Sequence, residues 1–209
     1  MPDPDTTWIV AQLLGFVALL CGLGAFAQKS DLAFKRKMTF FCCVEAVHFL
    51  LLGAASACLG CLLNGLRSFA SARTRSPRVM LMFLAALWIL GILSIAGFDL
   101  PRLWAAWKSP EEGSLSAILL AEPFRYLPLI GSSLGTVGLF LMSGVRLRFA
   151  ILICSSLWLA HNLIAVSIGP SIMEVTFIIM NLNTIRRLLR DRRRARTPDP
   201  LSSVSGDRS

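Results

Sequence analysis

The 209-residue chain is 55% hydrophobic, with a mean hydropathy of +0.67 and only 16% charged residues. Soluble domains carry roughly a quarter charged residues, so an ordinary soluble enzyme is excluded, and the apolar content excludes a disordered chain. Lys and Arg outnumber Asp and Glu by 21 to 12, a formal charge of +9, but the bases are separated by long apolar runs and form no continuous face of the kind that binds nucleic acid.

A helix needs about 20 apolar residues to cross a hydrocarbon layer of ~30 Å. Residues 8–27 meet this without a charge, and Lys29, Lys35, Arg36 and Lys37 close the run. Residues 38–52 form a second run, interrupted by Glu45 and His48, and 57–70 a third. One helix over 38–70 would be about 50 Å long at 1.5 Å per residue, so a hairpin is placed at the small residues Gly53, Ala54, Ala55 and Ser56. Residues 79–98 form the cleanest span. In 99–125 the residues Leu100, Leu103, Trp104 and Trp107 share one helical face, which reads as a short interfacial helix. Spans resume at 126–142, 149–166 and 172–189.

The expected fold is therefore all-α, a polytopic membrane bundle of about seven transmembrane helices. With the N-terminus outside, the inward loops hold Lys29, Lys35, Arg36 and Lys37, then Arg67, Arg73, Arg75 and Arg78, then Arg146 and Arg148. The C-terminal segment adds seven arginines from Arg186 to Arg196, whereas the outward segments hold only Arg102, Lys108 and Arg125. The positive-inside rule then orients the chain N-out and C-in. The acidic start, with Asp3 and Asp5, does not resemble a cleavable signal peptide.

Two segments share an order of features. Glu45-x-x-His48, the Gly53 break and Asn64-x-x-Arg67 are echoed by Trp158-x-x-His161-Asn162, the break at Ser167 to Pro170, and Asn183-x-x-Arg186. The domain reading follows: an outward tail over 1–7, a three-helix repeat over 8–73, a linker helix at 79–98, an outward loop over 99–125, a second repeat over 126–190 and a disordered basic tail over 191–209. An odd linker makes the two repeats parallel.

Glu45, His48 and Asn64 fall at similar depth near the midplane, and Trp158, His161, Asn162 and Asn183 offer a second polar set. Ionisable residues at such depth face the bundle interior or a wet cavity. Asn181 and Asn183 lie about 200° apart on a helix, so one at most faces the centre; Asn183 is chosen for its following Arg. Asn side chains would bond a small polar solute, Trp158 would stack on it, and Glu45 with His48 would carry a proton, since His titrates near neutral pH. The bland alternative is that these groups hydrogen-bond between helices as packing devices. Glu174 reads as a structural pairing, while Arg67 and Arg186 are expected to snorkel to the inward interface. The six cysteines fall within apolar spans, and only Cys58-x-x-Cys61 has a spacing suited to redox or metal chemistry; no metal, cofactor or catalytic residue is assigned.

Val47 to Gly53, Leu63-Asn64-Gly65-Leu66-Arg67, and Trp158-x-x-His161-Asn162 with Ser167-Ile168-Gly169, Glu174 and Asn183-x-x-Arg186 resemble the YgjV-type bacterial inner-membrane proteins. The resemblance runs over about 8–190 and implies the bacterial inner membrane. More distantly, the layout is similar to the SWEET and PQ-loop transporters, whose pathway Asn on the third helix of each repeat would map onto Asn64 and Asn183. This chain lacks their Pro-Gln pairs. The expected function is a small-solute permease working by alternating access, with the lipid bilayer, a small polar solute and coupled protons as partners. A non-transporting receptor or assembly protein is the second class. A membrane enzyme ranks third, because no zincin, nucleophile-elbow or phosphate-loop motif is present. The oligomeric state is left open.

Overall fold

The computed structural model describes residues 6–95, 123–166 and 168–195. Seven α-helices stand among them: α1 (Thr6–Phe26), α2 (Asp31–Leu51), α3 (Ala55–Arg73), α4 (Pro77–Ile95), α5 (Leu127–Leu141), α6 (Val145–Ile164) and α7 (Ile168–Arg194). A 3-10 turn, Pro123–Tyr126, leads into α5. The interfacial helix expected over 99–125 lies outside the described residues except for 123–125, which belong to this turn. Helices α1, α4, α6 and α7, and α5 taken together with the turn before it as Phe124–Leu141, are long and apolar enough to cross a membrane. Helices α2 and α3 are of similar length, 21 and 19 residues, but less apolar.

Local sequence explains the ends. α2 begins seven residues before its apolar run because Ser30 caps it, its Oγ accepting from Ala33 N–H. Leu52 closes α2 by donating to the carbonyls of His48 and Leu50, and Gly53 turns the chain at φ +72°. The α6–α7 hairpin repeats this device. Ala165 donates to His161 and Leu163, and Val166 takes φ +52°. Pro77 opens α4, where its missing N–H is harmless.

α2 packs between α1 and α3, and α6 packs between α5 and α7. The two triplets meet through α1 against α7 and α3 against α5, while α4 lies on α3 and α5. Each repeat thus sets its first helix against the other's third, which is the contact pattern of a parallel two-fold repeat. Phe177 of α7 stacks on Phe26 (4.5 Å between centroids, 16° between planes) and meets Phe41 edge-on at 5.8 Å. Gly22 makes this approach possible: a Cβ there would stand 2.6 Å from Phe177 Cζ. Many large apolar side chains face outward, including Leu13, Phe16, Leu20 and Met82. Lipid tails are as apolar as these side chains, so in the bilayer close packing and hydrogen bonds distinguish inside from outside.

Candidate functional site

The first helix of each repeat ends in carbonyls that its own helix cannot satisfy. For α1 the account is complete. Leu23 O and Ala25 O accept from the backbone of Ala27 and Gln28, and Gly24 O accepts from Gln28 Nε2. The next three carbonyls are capped from the second repeat. Thr184 Oγ1 donates to Phe26 O (2.8 Å), Arg187 to Ala27 O (3.4 Å) and Arg148 Nη2 to Gln28 O (2.7 Å). The reciprocal bond runs from Lys35 Nζ on α2 to Leu139 O on α5, with a second to Ser71 O at 2.9 Å. Asp31 accepts from Gly144 N–H, and Lys29 pairs with Asp191. This basic end of the bundle is therefore tied across the repeat interface. Arg148 is fully buried, lies 4.1 Å over the Phe34 ring, and leaves Nε and Nη1 without a protein partner.

At the opposite, hairpin end the bonds stay within each repeat. His48 Nδ1 lies 2.6 Å from Ala11 O, and His161 Nδ1 lies 3.2 Å from Phe124 O. A carbonyl has no hydrogen to give, so Nδ1 carries the proton in both contacts. Both span 37 residues, which puts the two repeats 113 residues apart in register. The same shift relates Gly53 to Val166 and Lys35 to Arg148.

Between the two ends lies a polar layer. Cys61 Sγ donates to Glu45 Oε2 at 3.4 Å. A shift of 113 residues carries Glu45 to Trp158 and Cys61 to Glu174, so each repeat holds one carboxylate in this layer, on its second helix in one and its third in the other. Ser155 hydrogen-bonds Glu174, and Glu174 interacts electrostatically with Glu45. Glu174 Oε2 is buried with no protein partner. Arg67 reaches across from α3 to α5, where Nη1 donates to Ser132 O (2.9 Å) and Thr136 Oγ1 (2.8 Å), and its buried Nε is unpartnered. Trp158 Nε1 donates to Ser132 Oγ at 3.1 Å. Two carboxylates, a guanidinium and an indole thus line one level of the interface, with hydrogen-bonding capacity still open at Glu174 and Arg67. Among the described residues no three His, Cys, Asp or Glu side chains come together as a metal would need.

The comparisons with known proteins agree with this layout. The profile of the family described as bacterial inner membrane protein, Imp-YgjV, matches residues 9–101 and 102–192. The inner membrane protein YgjV of Escherichia coli K12 is 31% identical over 182 residues, covering 87% of this chain and 86% of that relative. The chain belongs to the YgjV family of bacterial inner-membrane proteins. No solved structure matches it. As a YgjV-family member it is a multi-pass inner-membrane protein.

The residues singled out from sequence fall into this YgjV-family bundle in three ways. Glu45 and Trp158 lie in the central polar layer. His48 and His161 lie nearer the hairpins, each bonded to a backbone carbonyl of its own repeat; Glu45, His48 and Asn64 share no hydrogen bond that draws them to one point. Asn162 is buried and Asn64 half-buried. Asn183 is corrected: it is exposed, as is Arg186, whereas Asn181 is 1% exposed and donates to Arg148 O at 2.8 Å. The Asn-x-x-Arg match pairs residues 119 apart, six more than the repeat register, so it compares different faces of α3 and α7. Arg67 is corrected as well. It does not snorkel to an interface but bridges the two repeats, because a helical side chain leans toward its helix N-terminus and so into the bundle. Glu174, read as a structural pairing, does bond Ser155 but also lies beside Glu45 in the central layer. The register of the two histidines already pointed to it, since the position equivalent to Glu174 is Cys61, beside Glu45.

Proposed function

We propose that the protein is a small-solute permease, not an enzyme, working by alternating access between its two three-helix repeats. The observation that carries this reading is the central layer: Glu45 and Glu174 at one level of the repeat interface, with Glu174 Oε2 and Arg67 Nε buried and unpartnered. Buried polar groups without partners are rare and costly, and they persist where a ligand or water completes them. Polar solute would bind there, with Glu45 and Glu174 exchanging protons as it moves. The basic end carries the Lys and Arg clusters and therefore faces the cytoplasm, giving N-out and C-in. The cross-repeat bonds at that end support reading this conformation as the one closed to the cytoplasm.

The test is uptake by purified protein in liposomes against a panel of sugars, amino acids and organic acids, with and without a pH gradient. A substrate should emerge whose uptake falls at least tenfold in Glu45→Gln and in Glu174→Gln, while Asn183→Ala, on the exposed face, transports normally. Absence of uptake across the panel would overturn the reading, and so would full activity in both carboxylate variants.

A further inference from the structure

Beside the repeat interface, a separate cleft of about 350 Å³ opens between α2 and α3 at the basic end, lined by Arg36, Thr39, Phe69, Ala72 and Arg73. Arg73 is held in place by its own helix, its guanidinium carbon 3.5 Å from the Phe69 ring centroid. Thr39 Oγ1 is turned back to Lys35 O, so the donors facing the cleft are the two guanidiniums. From each arginine an exposed apolar stripe runs toward the hairpin. On α2 it is Phe40, Cys43 and Val47, and on α3 it is Phe69, Leu66 and Leu62. Both stripes follow the spacing of a single helix face. From Arg73 to Leu62 the rise is about 16 Å at 1.5 Å per residue, close to half of a ~30 Å hydrocarbon core.

We propose that this cleft binds one anionic phospholipid, its phosphate between Arg36 and Arg73 and an acyl chain along the two stripes. Guanidinium forks match phosphate oxygens in paired hydrogen bonds, and the apolar stripe has the length of one leaflet. The second repeat supplies a built-in comparison. The repeat register puts Phe149 where Arg36 stands and Arg186 where Arg73 stands, so that groove has one cation and lacks the clamp. The site is independent of the transport reading.

Native mass spectrometry of detergent-purified protein, given equal amounts of phosphatidylglycerol and phosphatidylcholine, tests it. The wild-type chain should retain phosphatidylglycerol at least fivefold more than phosphatidylcholine. Arg36→Gln/Arg73→Gln should remove that preference, and Arg186→Gln should leave it intact. Both substituted side chains are exposed, and if the double variant misfolds, Arg36→Lys alone should lower the preference at least twofold. Equal retention of the two lipids by the wild type, or an undiminished preference in the variants, would overturn the proposal. Displacement of phosphatidylglycerol by equimolar glycerol 3-phosphate would overturn it too, in favour of a soluble phosphate ester.

Discussion

Lys35 and Arg148 occupy equivalent positions in the two repeats, and each donates to the end of the other repeat's first helix, Lys35 to Leu139 O and Arg148 to Gln28 O. The exchange places a cation at two helix C-termini, where orphan carbonyls and the negative end of the helix dipole favour it. It also makes neither repeat complete without the other at the basic end.

Truncating either cation strands buried carbonyls. Hydrogen bonds from charged donors contribute about 1.5–3 kcal/mol each, so Lys35→Met and Arg148→Met should both lower thermal stability in detergent. Arg148→Met should lose about 2 kcal/mol, while Arg187→Met, whose bond to Ala27 O is long and exposed, should change stability by less than about 0.5 kcal/mol.

If these bonds hold the basic end shut, loosening them should expose it. Leu139 is 2% exposed. In a chain freed of its six cysteines, a Leu139→Cys probe should react slowly with a membrane-impermeant maleimide added at the basic side. Adding Lys35→Gln/Asp191→Asn should speed the reaction at least tenfold; an unchanged rate would show that the end is closed by packing alone.

Gly22 and Phe177 define the approach of α1 to α7. Gly22→Ala places a methyl against the Phe177 ring tip and should cost about 1–3 kcal/mol by overpacking. Phe177→Leu should recover part of that loss when combined with it, because the obstructing atoms are those of the ring. A thermal-unfolding double-mutant cycle measures the coupling, and additive losses would refute the contact.

Val166 holds a left-handed backbone at φ +52° with its side chain exposed, where Gly53 serves the first repeat. A β-branched residue is strained there, by roughly 1–2 kcal/mol. Val166→Gly should raise the melting temperature, and Gly53→Val should lower it. A gain absent in the first variant would mean that the α6–α7 turn relaxes without cost.

Much of the bundle is legible in the sequence because the hydrocarbon layer imposes length and polarity on each run. The two hairpins could be placed from Gly53 and from the Ser167 to Pro170 break, and His48 with His161 carries the true repeat register. The Asn-x-x-Arg similarity does not. A slip of six residues turns a helix by about 240°, so the match sets Asn64 against exposed Asn183 where the register puts buried Phe177. Glu174 escaped for a related reason: its partner position in the first repeat is Cys61, so the repeat conserves a level in the membrane, not a residue type.

Composition, hydropathy and charge by themselves determined that this chain is a helical membrane protein with one strongly basic end, and the paired His-bearing hairpins that it has two related halves. Which face of each helix meets the other repeat was decided only by tertiary packing. In water an amphipathic stripe marks the buried side of a helix, but here both the core and the lipid are apolar, and most helices are apolar all round. Only the assembled bundle shows that Arg67 turns inward to Ser132 and Thr136, and that Glu45 and Glu174 share a level.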